Sequence, residues 1–423
     1  MPSSSLTKQR MSLPATAGFS DRMAQKVVHK LFASLTAGRL LVQEGGEVLE
    51  YGEARDSATL VAHIHIKHPA VYRQLLLNGS IGAGEAYMNG LWDSSDLVQV
   101  VRLFVLNMEV INDMEKQSSW LNRQASRITQ NLLRRNSKTG AKSNIREHYD
   151  LSNEFFALFL DPSMMYSAAI FPSQTTTLEE ASLYKIHHIC ERLQLQPGDH
   201  LLEIGTGWGG LAIYAAQHFG CQVTTTTISD AQYEMACERV REAGLEQQIT
   251  LLKQDYRELT GHYDKLVSVE MIEAVGHRYY QEYFQKCNSL LKPEGLMLIQ
   301  AITIADQRYE SAKNAMDFIQ KYIFPGGALP SVSVIARHVC DDTDMQIVGL
   351  EDITADYART LEAWRDRFLH RIDDVKALGF DDVFIRMWEF YLAYCEGGFI
   401  ERVIGTSQIV MAKPHCRQLS QVV

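Results

Sequence analysis

The stretch LLEIGTGWGG, residues 201–210, constrains the fold more than any other part of the chain. An apolar run of strand type ends in glycines at Gly205, Gly207 and Gly210, and a helical apolar pattern, GGLAIYAAQHF, starts at once. Strand, glycine turn and helix in that order make a ligand cradle at the head of a parallel sheet, because glycines turn tightly and let a ligand approach the backbone. The same alternation continues downstream. CQVTTTTIS is rich in β-branched residues and reads as a strand. DAQYEMACERVREAG reads as a helix, with Asp230 near its start and Gly244 past its end. ITLLKQD and YDKLVSVEMI read as strands, YYQEYFQKCNSLL as a helix and GLMLIQAITI as another strand. Strands alternating with helices of this length specify βαβ units, hence an α/β doubly wound parallel sheet beginning near residue 147.

The glycine pattern alone does not choose a ligand. A dinucleotide site wants an acid at the end of the second strand to hold ribose hydroxyls. That place is Thr227-Ile228-Ser229 here, with no carboxylate. The acid lies instead inside the first strand, at Glu203, two residues before Gly205. A carboxylate there repels a pyrophosphate and favours the ammonium and sulfonium charges of S-adenosylmethionine. A nicotinamide-dependent oxidoreductase is the alternative on the loop alone, and a cofactor-binding measurement separates the two.

The rest of the composition bounds the problem. The 423 residues suffice for two domains, and the formal charge of −10 argues against broad nucleic-acid binding. No run approaches the roughly 18 unbroken apolar residues of a membrane span, and the N-terminus lacks the apolar core of a secretory signal. The seven cysteines are scattered without CxxC spacing, so neither a disulfide framework nor a zinc site is expected and no metal is called for. Residues 120–146 carry seven Lys/Arg and no acid, which suits a solvated linker or a strip that touches anionic headgroups. The apolar segment 97–114 has the spacing of a buried helix. The expected organisation is a disordered tail at 1–20, an N-terminal domain at 21–120, a basic linker at 121–146, the α/β domain at 147–412 and a C-terminal tail at 413–423.

A series of ordered motifs sharpens this. HYDLSNEFFALFLDPSMMYSAAIF, LLEIGTGWGGLAIYAA, TTTISDAQ, QDYREL, VSVEMIEAVG, LKPEG, KYIFPGGALPS and ADYARTLEAW resemble, in sequence order, the motifs of the cyclopropane-fatty-acyl-phospholipid synthase family. GEAYMNGLWDSSDL resembles the N-terminal motif of its phospholipid-acting bacterial branch, so the resemblance spans roughly residues 80–412. It implies a Rossmann-like class I methyltransferase sheet with helical lid insertions and a smaller N-terminal lipid-docking domain. S-adenosylmethionine is then expected at Tyr166 and Ser167, at Glu203, Gly205, Thr206, Gly207, Trp208 and Gly209, at Thr227, Ile228 and Gln232 toward the ribose and adenine, and at Tyr256 and Arg257 beside the adenine. The missing second-strand acid is a trait of the family.

The implied reaction is methyl transfer to a double bond of an unsaturated phospholipid acyl chain, giving a carbocation that loses a proton to close a cyclopropane. Aromatic faces and a dry site suit such a cation, and MMYS, IFP and FYLAY supply rings. In the family the proton acceptor is a bicarbonate ion caged by Cys, Glu, His, Tyr and a backbone N–H. Glu273, Tyr357 and the N–H of Ile302 match that cage; the Cys position is Ala168 and the His position is Gln300. A second family cysteine is kept as Cys395. Gln can still donate a hydrogen bond, whereas Ala offers nothing. The altered cage leaves two products open, a cyclopropane or a methyl- or methylene-branched unsaturated chain, the latter as in the diene methylation of furan fatty acid pathways. A lipid-binding protein with a decayed site is the non-enzyme alternative, opposed by Glu203, Tyr166, Glu273 and Tyr357. The resemblance also implies a homodimer and peripheral attachment to the cytoplasmic face of the membrane.

Overall fold

A computed structural model describes residues 18–52, 60–108, 151–417 and 419. Contacts divide the chain into two units, Met1–Leu103 with Asn107–Ser118, and Phe104–Leu106 with Ser119–Val423. Residues 109–114 of the expected apolar helix and the basic stretch 121–146 lie outside the described residues.

The first unit carries β1 (Arg39–Glu44), β2 (Glu47–Gly52), β3 (Val61–Ile66) and β4 (Trp92–Asp93) in the order β2-β1-β3-β4. β1 and β2 form a hairpin whose two loop residues, Gly45 and Gly46, both have positive φ (57° and 94°). A two-residue turn of that hand matches strand twist, and only residues such as glycine enter it without strain. Helix α1 (Phe19–Phe32) begins inside the stretch expected as a tail. It buries Ala24, Val28 and Phe32 and leaves Phe19, Met23 and Val27 exposed. Helix α2 (Ala70–Met88) belongs to the same unit, as does helix α3 (Leu97–Leu106) as far as Leu103.

The second unit is built on seven strands: β5 (His200–Ile204), β6 (Gln222–Thr227), β7 (Ile249–Lys253), β8 (Tyr263–Val269), β9 (Leu291–Ile304), β10 (Gln346–Asp352) and β11 (Ile404–Ala412). Their order is β10-β11-β9-β8-β5-β6-β7. β5 pairs in parallel with both β6 and β8, and β11 is antiparallel to β9 and β10. The chain therefore leaves β5 toward one edge and returns to its other side, which makes the carboxyl end of β5 the switch point where such sheets bind ligands.

Period-two alternation puts a core on each face of this sheet. Leu202, Leu266, Met297 and Ile299 face a cluster with Tyr283, Phe284 and Ile335. Their neighbours Leu201, Val267, Leu296 and Leu298 face the other cluster, with Ile186, Ile189, Leu211 and Ala212. Both faces are covered by helices, as a parallel sheet requires. Between β9 and β10 lie helices Asp306–Ala312, Phe318–Tyr322 and Val332–Asp342, and between β10 and β11 lie Thr354–His370, Ile372–Ala377 and Asp382–Ile400. Phe155, fully buried, anchors them: its ring lies 5.0–6.3 Å from those of Phe368, Phe380, Phe384 and Trp388. The start of the expected C-terminal tail is packed, because the Lys413 N–H donates to the Gly295 carbonyl (3.0 Å) and its ammonium to Asn288 Oδ1 (3.0 Å).

Candidate active site

The glycine loop opens at the end of β5. Gly205, Gly207 and Gly209 have φ of 104°, 52° and 84°, a region that disfavours residues with a Cβ. Gly210 serves close approach instead: a Cβ there would stand 2.6 Å from the Ser163 carbonyl oxygen. Gly209 caps the helix Gly210–Phe219, so the helix N-terminus opens from this loop. Trp208 is buried and its indole N–H donates to Asn153 Oδ1 (2.7 Å). The Thr206 hydroxyl shares a hydrogen bond of 2.7 Å with that of Thr225, and Thr225 donates in turn to Glu203 Oε2 (2.6 Å). Glu203 is only 4% exposed, and burial pushes its carboxyl up to about 8, against the pull of Thr225 and Lys185.

At the end of β6 the Thr227 hydroxyl donates to Gln232 Oε1 (3.0 Å), and the Ser229 side chain caps the helix Asp230–Glu242 by accepting from the Gln232 N–H (3.3 Å). Ile228 sits between them, half-buried. After β7, Tyr256 packs against Tyr283 with centroids 5.6 Å apart, and Arg257 is held bidentately by Asp255 (2.8 and 2.6 Å). The structure thus brings Glu203, the glycine loop, Thr227 to Gln232 and the Tyr256–Arg257 pair to the carboxyl ends of three neighbouring parallel strands. A buried carboxylate beside an open-backbone loop fits a ligand that carries ammonium and sulfonium charges.

An aromatic cluster adjoins the loop through Phe156, whose ring lies 5.1 Å from that of Trp208. The Tyr166 hydroxyl shares a 2.8 Å hydrogen bond with that of Tyr391, and the Tyr166 ring lies 5.3 Å from Trp364 and 5.2 Å from Phe156. Tyr357 stacks on Phe399 (4.4 Å). Cys395 is a free thiol on the helix Asp382–Ile400, pushed up by burial, as are the Tyr357 and Tyr391 hydroxyls.

Three of the positions matched to the bicarbonate cage, Ala168, Gln300 and Tyr357, meet on a side chain, Glu270, while Glu273 and the Ile302 N–H bond each other. Glu270 follows β8, its own N–H donating to the Gln300 carbonyl (2.7 Å). Its Oε1 accepts from the Ala168 N–H (2.9 Å) and from Gln300 Nε2 (2.8 Å), and its Oε2 from the Tyr357 hydroxyl (2.8 Å). Gln300 Nε2 also donates to the Ala168 carbonyl (3.1 Å), while its amide oxygen accepts from Gln408 Nε2 (3.0 Å), both side chains being fully buried. Glu273 Oε1 accepts from the Ile302 N–H, while its buried Oε2 has no hydrogen-bond partner. Burial, and next the charge of Glu270, push the Glu273 carboxyl up to about 8; burial also raises Glu270, opposed by Gln300, Ala168 and Tyr357. Beneath lies Lys185, wholly buried and donating to Ser167 Oγ (2.8 Å), its ammonium lowered to about 8 by burial against the attraction of Glu270, Asp161 and Glu203.

Three of these residues escaped the reading of the sequence. Glu270 falls inside the strand-type stretch YDKLVSVEMI, and an acid three residues before Glu273 was its visible signal. Lys185 sits at a helical position flanked by buried Ala181, Ser182, Ile186 and Ile189, and a lysine on such a stripe marks a buried cation. Gln408 on β11 gave no signal, because its role depends on register with Gln300.

Comparison with known proteins identifies the family of the chain. Residues 136–409 match the family model described as mycolic acid cyclopropane synthetase. The chain is 42% identical over 337 residues to tuberculostearic acid methyltransferase UfaA1 of Mycobacterium tuberculosis, covering 78% of each. It is 39% identical over 352 residues to the cyclopropane-fatty-acyl-phospholipid synthase of Escherichia coli, covering 83% of this chain and 88% of the relative. Among solved structures, the cyclopropane synthase MmaA2 of Mycobacterium tuberculosis superposes with a TM-score of 0.61 at 28% identity, over 64% of this chain and 98% of that one. Mycolic acid cyclopropane synthase CmaA1, complexed with SAH and CTAB, gives a TM-score of 0.60 at 29% identity over the same shares.

Proposed function

The chain belongs to the mycolic acid cyclopropane synthetase family of S-adenosylmethionine-dependent methyltransferases, and from that we propose that it methylates a double bond of an unsaturated phospholipid acyl chain through a carbocation, giving a cyclopropane. The observation that carries this reading is the aromatic cluster of Tyr166, Tyr357, Trp364 and Tyr391, with Tyr357 bonded to the buried Glu270 carboxyl. Bound S-adenosylmethionine supplies an electrophilic methyl group. Glu203 and the loop Gly205–Gly209 hold and orient that donor, with Thr227, Ile228 and Gln232 toward its ribose and adenine and Tyr256 and Arg257 beside its adenine. The rings exclude water and stabilise a buried cation by roughly 2 kcal/mol each where desolvated. Bicarbonate does not fit the cage as folded: the Gln300 and Tyr357 donors that would hold it are already bonded to Glu270 and the Ile302 N–H to Glu273, so no step is routed through it.

A second reading, a methyl- or methylene-branched unsaturated chain, is favoured by Ala168 and Gln300 standing where the family resemblance implies Cys and His. Relatives of similar identity carry both kinds of name, one a cyclopropane synthase and others fatty acid methyltransferases. Purified protein given methyl-labelled S-adenosylmethionine and vesicles with cis-monounsaturated chains tests both. A product heavier by one labelled CH2, fragmenting as a ring methylene, is expected; a labelled branch on a chain that keeps its double bond supports the second reading. Absence of label from monoene and diene lipids alike excludes lipid methylation.

Lipid reaches such a site from a membrane surface, and α1 offers a docking face. Phe19 (84% exposed), Met23 and Val27 form an outward stripe at intervals of four, flanked by exposed Lys26 and Lys30. An apolar stripe edged by cations suits an anionic interface. Among the described residues no helix is long and apolar enough to cross a membrane. The domain division, peripheral attachment at the inner face and a homodimer belong to the same proposal. Replacing Phe19 and Met23 by Ser is expected to weaken binding to anionic vesicles at least about tenfold, since burying one large apolar side chain contributes roughly 1.5–3 kcal/mol. Turnover on detergent-dispersed lipid should hold, and unchanged co-sedimentation with vesicles would remove α1 from the docking surface.

A further inference from the structure

We infer that the Glu270 carboxylate is itself the proton acceptor of the reaction and occupies the place of a bound bicarbonate ion, an inference that rests on the methyl-transfer reading above. Three donors from three parts of the fold meet on this one side chain: the Ala168 N–H, Gln300 Nε2 on β9 and the Tyr357 hydroxyl on the helix Thr354–His370. Donors aimed at a carboxylate form the stronger class of hydrogen bond and here oppose the upward push of burial on Glu270. The two positions that read as losses from the cage, Ala168 and Gln300, are thereby both used. The backbone N–H of Ala168 needs no side chain to donate, and a neutral amide suits a site that already contains its anion.

The backbone at Glu270 points the same way. Its φ is 48°, a left-handed conformation in which glycine rests without strain and a glutamate does not. A side chain kept at such a position is characteristic of a functional constraint. A second anion placed among the same donors would face the Glu270 charge at close range. Burial pushes both carboxyls up, but three donors oppose it at Glu270, whereas Glu273 has an orphan Oε2 and also feels the Glu270 charge; that difference in surroundings makes Glu270 the acceptor and Glu273 its neutral neighbour.

The step balances. The π electron pair of the acyl double bond forms the new C–C bond to the methyl carbon as the methyl–sulfur bond breaks, its pair staying on sulfur, which leaves one positive charge on the chain. A C–H bond beside that charge then breaks. Its electron pair closes the ring when the hydrogen comes from the transferred methyl, or forms a C=C bond when it comes from a neighbouring chain carbon. The proton goes to Glu270, which becomes neutral and is reset by loss of the proton to water between turnovers. A proton beside a carbocation is so acidic that an ordinary carboxylate suffices.

The test uses the full-length protein with labelled S-adenosylmethionine and monounsaturated vesicles in buffer stripped of carbon dioxide. Wild-type turnover is expected to be unaffected by added millimolar bicarbonate. Glu270→Gln is expected to lose at least about 100-fold in kcat, the usual worth of a general base, with S-adenosylmethionine affinity kept within about threefold as evidence of folding. Glu270→Gly relieves the left-handed residue and frees the donors, so bicarbonate or formate should restore a measurable part of the lost rate. Binding of 13C-labelled bicarbonate, followed by NMR without any turnover, should appear in Glu270→Gly and be absent from wild type. Stimulation of wild type by bicarbonate, equal bicarbonate binding by both proteins, or full turnover in Glu270→Gln overturns the assignment. A wild type that binds S-adenosylmethionine but methylates no lipid overturns the proposed function instead, while the NMR comparison still decides whether Glu270 fills the anion position.

Discussion

Replacing Glu203 by Gln is expected to weaken S-adenosylmethionine binding about 10- to 100-fold at pH 8, because a hydrogen bond to a charged group contributes roughly 1.5–3 kcal/mol. The same change should flatten the pH dependence of that affinity. Glu203 lies on β5, almost wholly buried, with its carboxyl raised to about 8 by burial. In the free protein near pH 7 it is therefore largely protonated, and a cationic ligand prefers the carboxylate. Binding then expels a proton, so affinity falls as pH drops below about 8, by up to tenfold per unit where the coupling is complete. Calorimetric titrations of wild type and Glu203→Gln between pH 6 and 9 read this directly, and their ratio cancels the ligand's own titration. Profiles that run parallel would mean that Glu203 is a structural acid held by Thr225, remote from the donor's charges.

The α/β unit was legible because its strands are buried on both faces and its helices are punctuated. LLEI, TTTT and LVSV are unbroken strand-type runs, and Gly205 and Gly244 each adopt the positive φ that suits a glycine turn. The small N-terminal sheet was not. β2 is exposed along much of its length and β4 has two residues, so neither leaves a hydrophobic period to read. The start of α1 was missed for a related reason, since Phe19 and Ser20 are exposed and resemble a tail.

Within the site, positions that act through local backbone were legible and positions that act through register were not. Glu203 and the glycines announce themselves by spacing within one turn. The cage is different: Ala168, Glu270, Gln300, Tyr357 and Gln408 come from five separate segments, and only the pairing of β8 with β9 and of β9 with β11 brings three of them abreast. Judged singly, Ala168 and Gln300 look like decay. Judged with Glu270, they are the complement of an anion supplied by the chain. Substitutions at contacting residues couple in this way, and a one-at-a-time comparison misreads them.

Glu273→Gln is expected to stabilise the protein at alkaline pH and leave it unchanged in mild acid. The Glu273 carboxyl is raised to about 8 in the folded chain from an ordinary value of 4.5, by burial first and the charge of Glu270 second. The native state thus holds a proton that the unfolded state has released throughout the window between those values. Stability associated with this group is fully present below about 4.5 and is lost as pH rises through about 8, at up to roughly 1.4 kcal/mol per pH unit. Glu203 adds a loss of the same sign, because its carboxyl is raised in the same way. A glutamine of nearly the same shape at position 273 is neutral at every pH and carries no such loss. Denaturant titrations of wild type and variant from pH 5 to 9 should therefore coincide at the acid end and diverge toward the alkaline end, with the variant the more stable. Adding the Glu203→Gln change should remove a second proton's worth of slope. A difference curve without slope would show that Glu273 is ionised in the folded protein, and the separation of the Glu270–Glu273 pair into a proton acceptor and a neutral neighbour would fail with it.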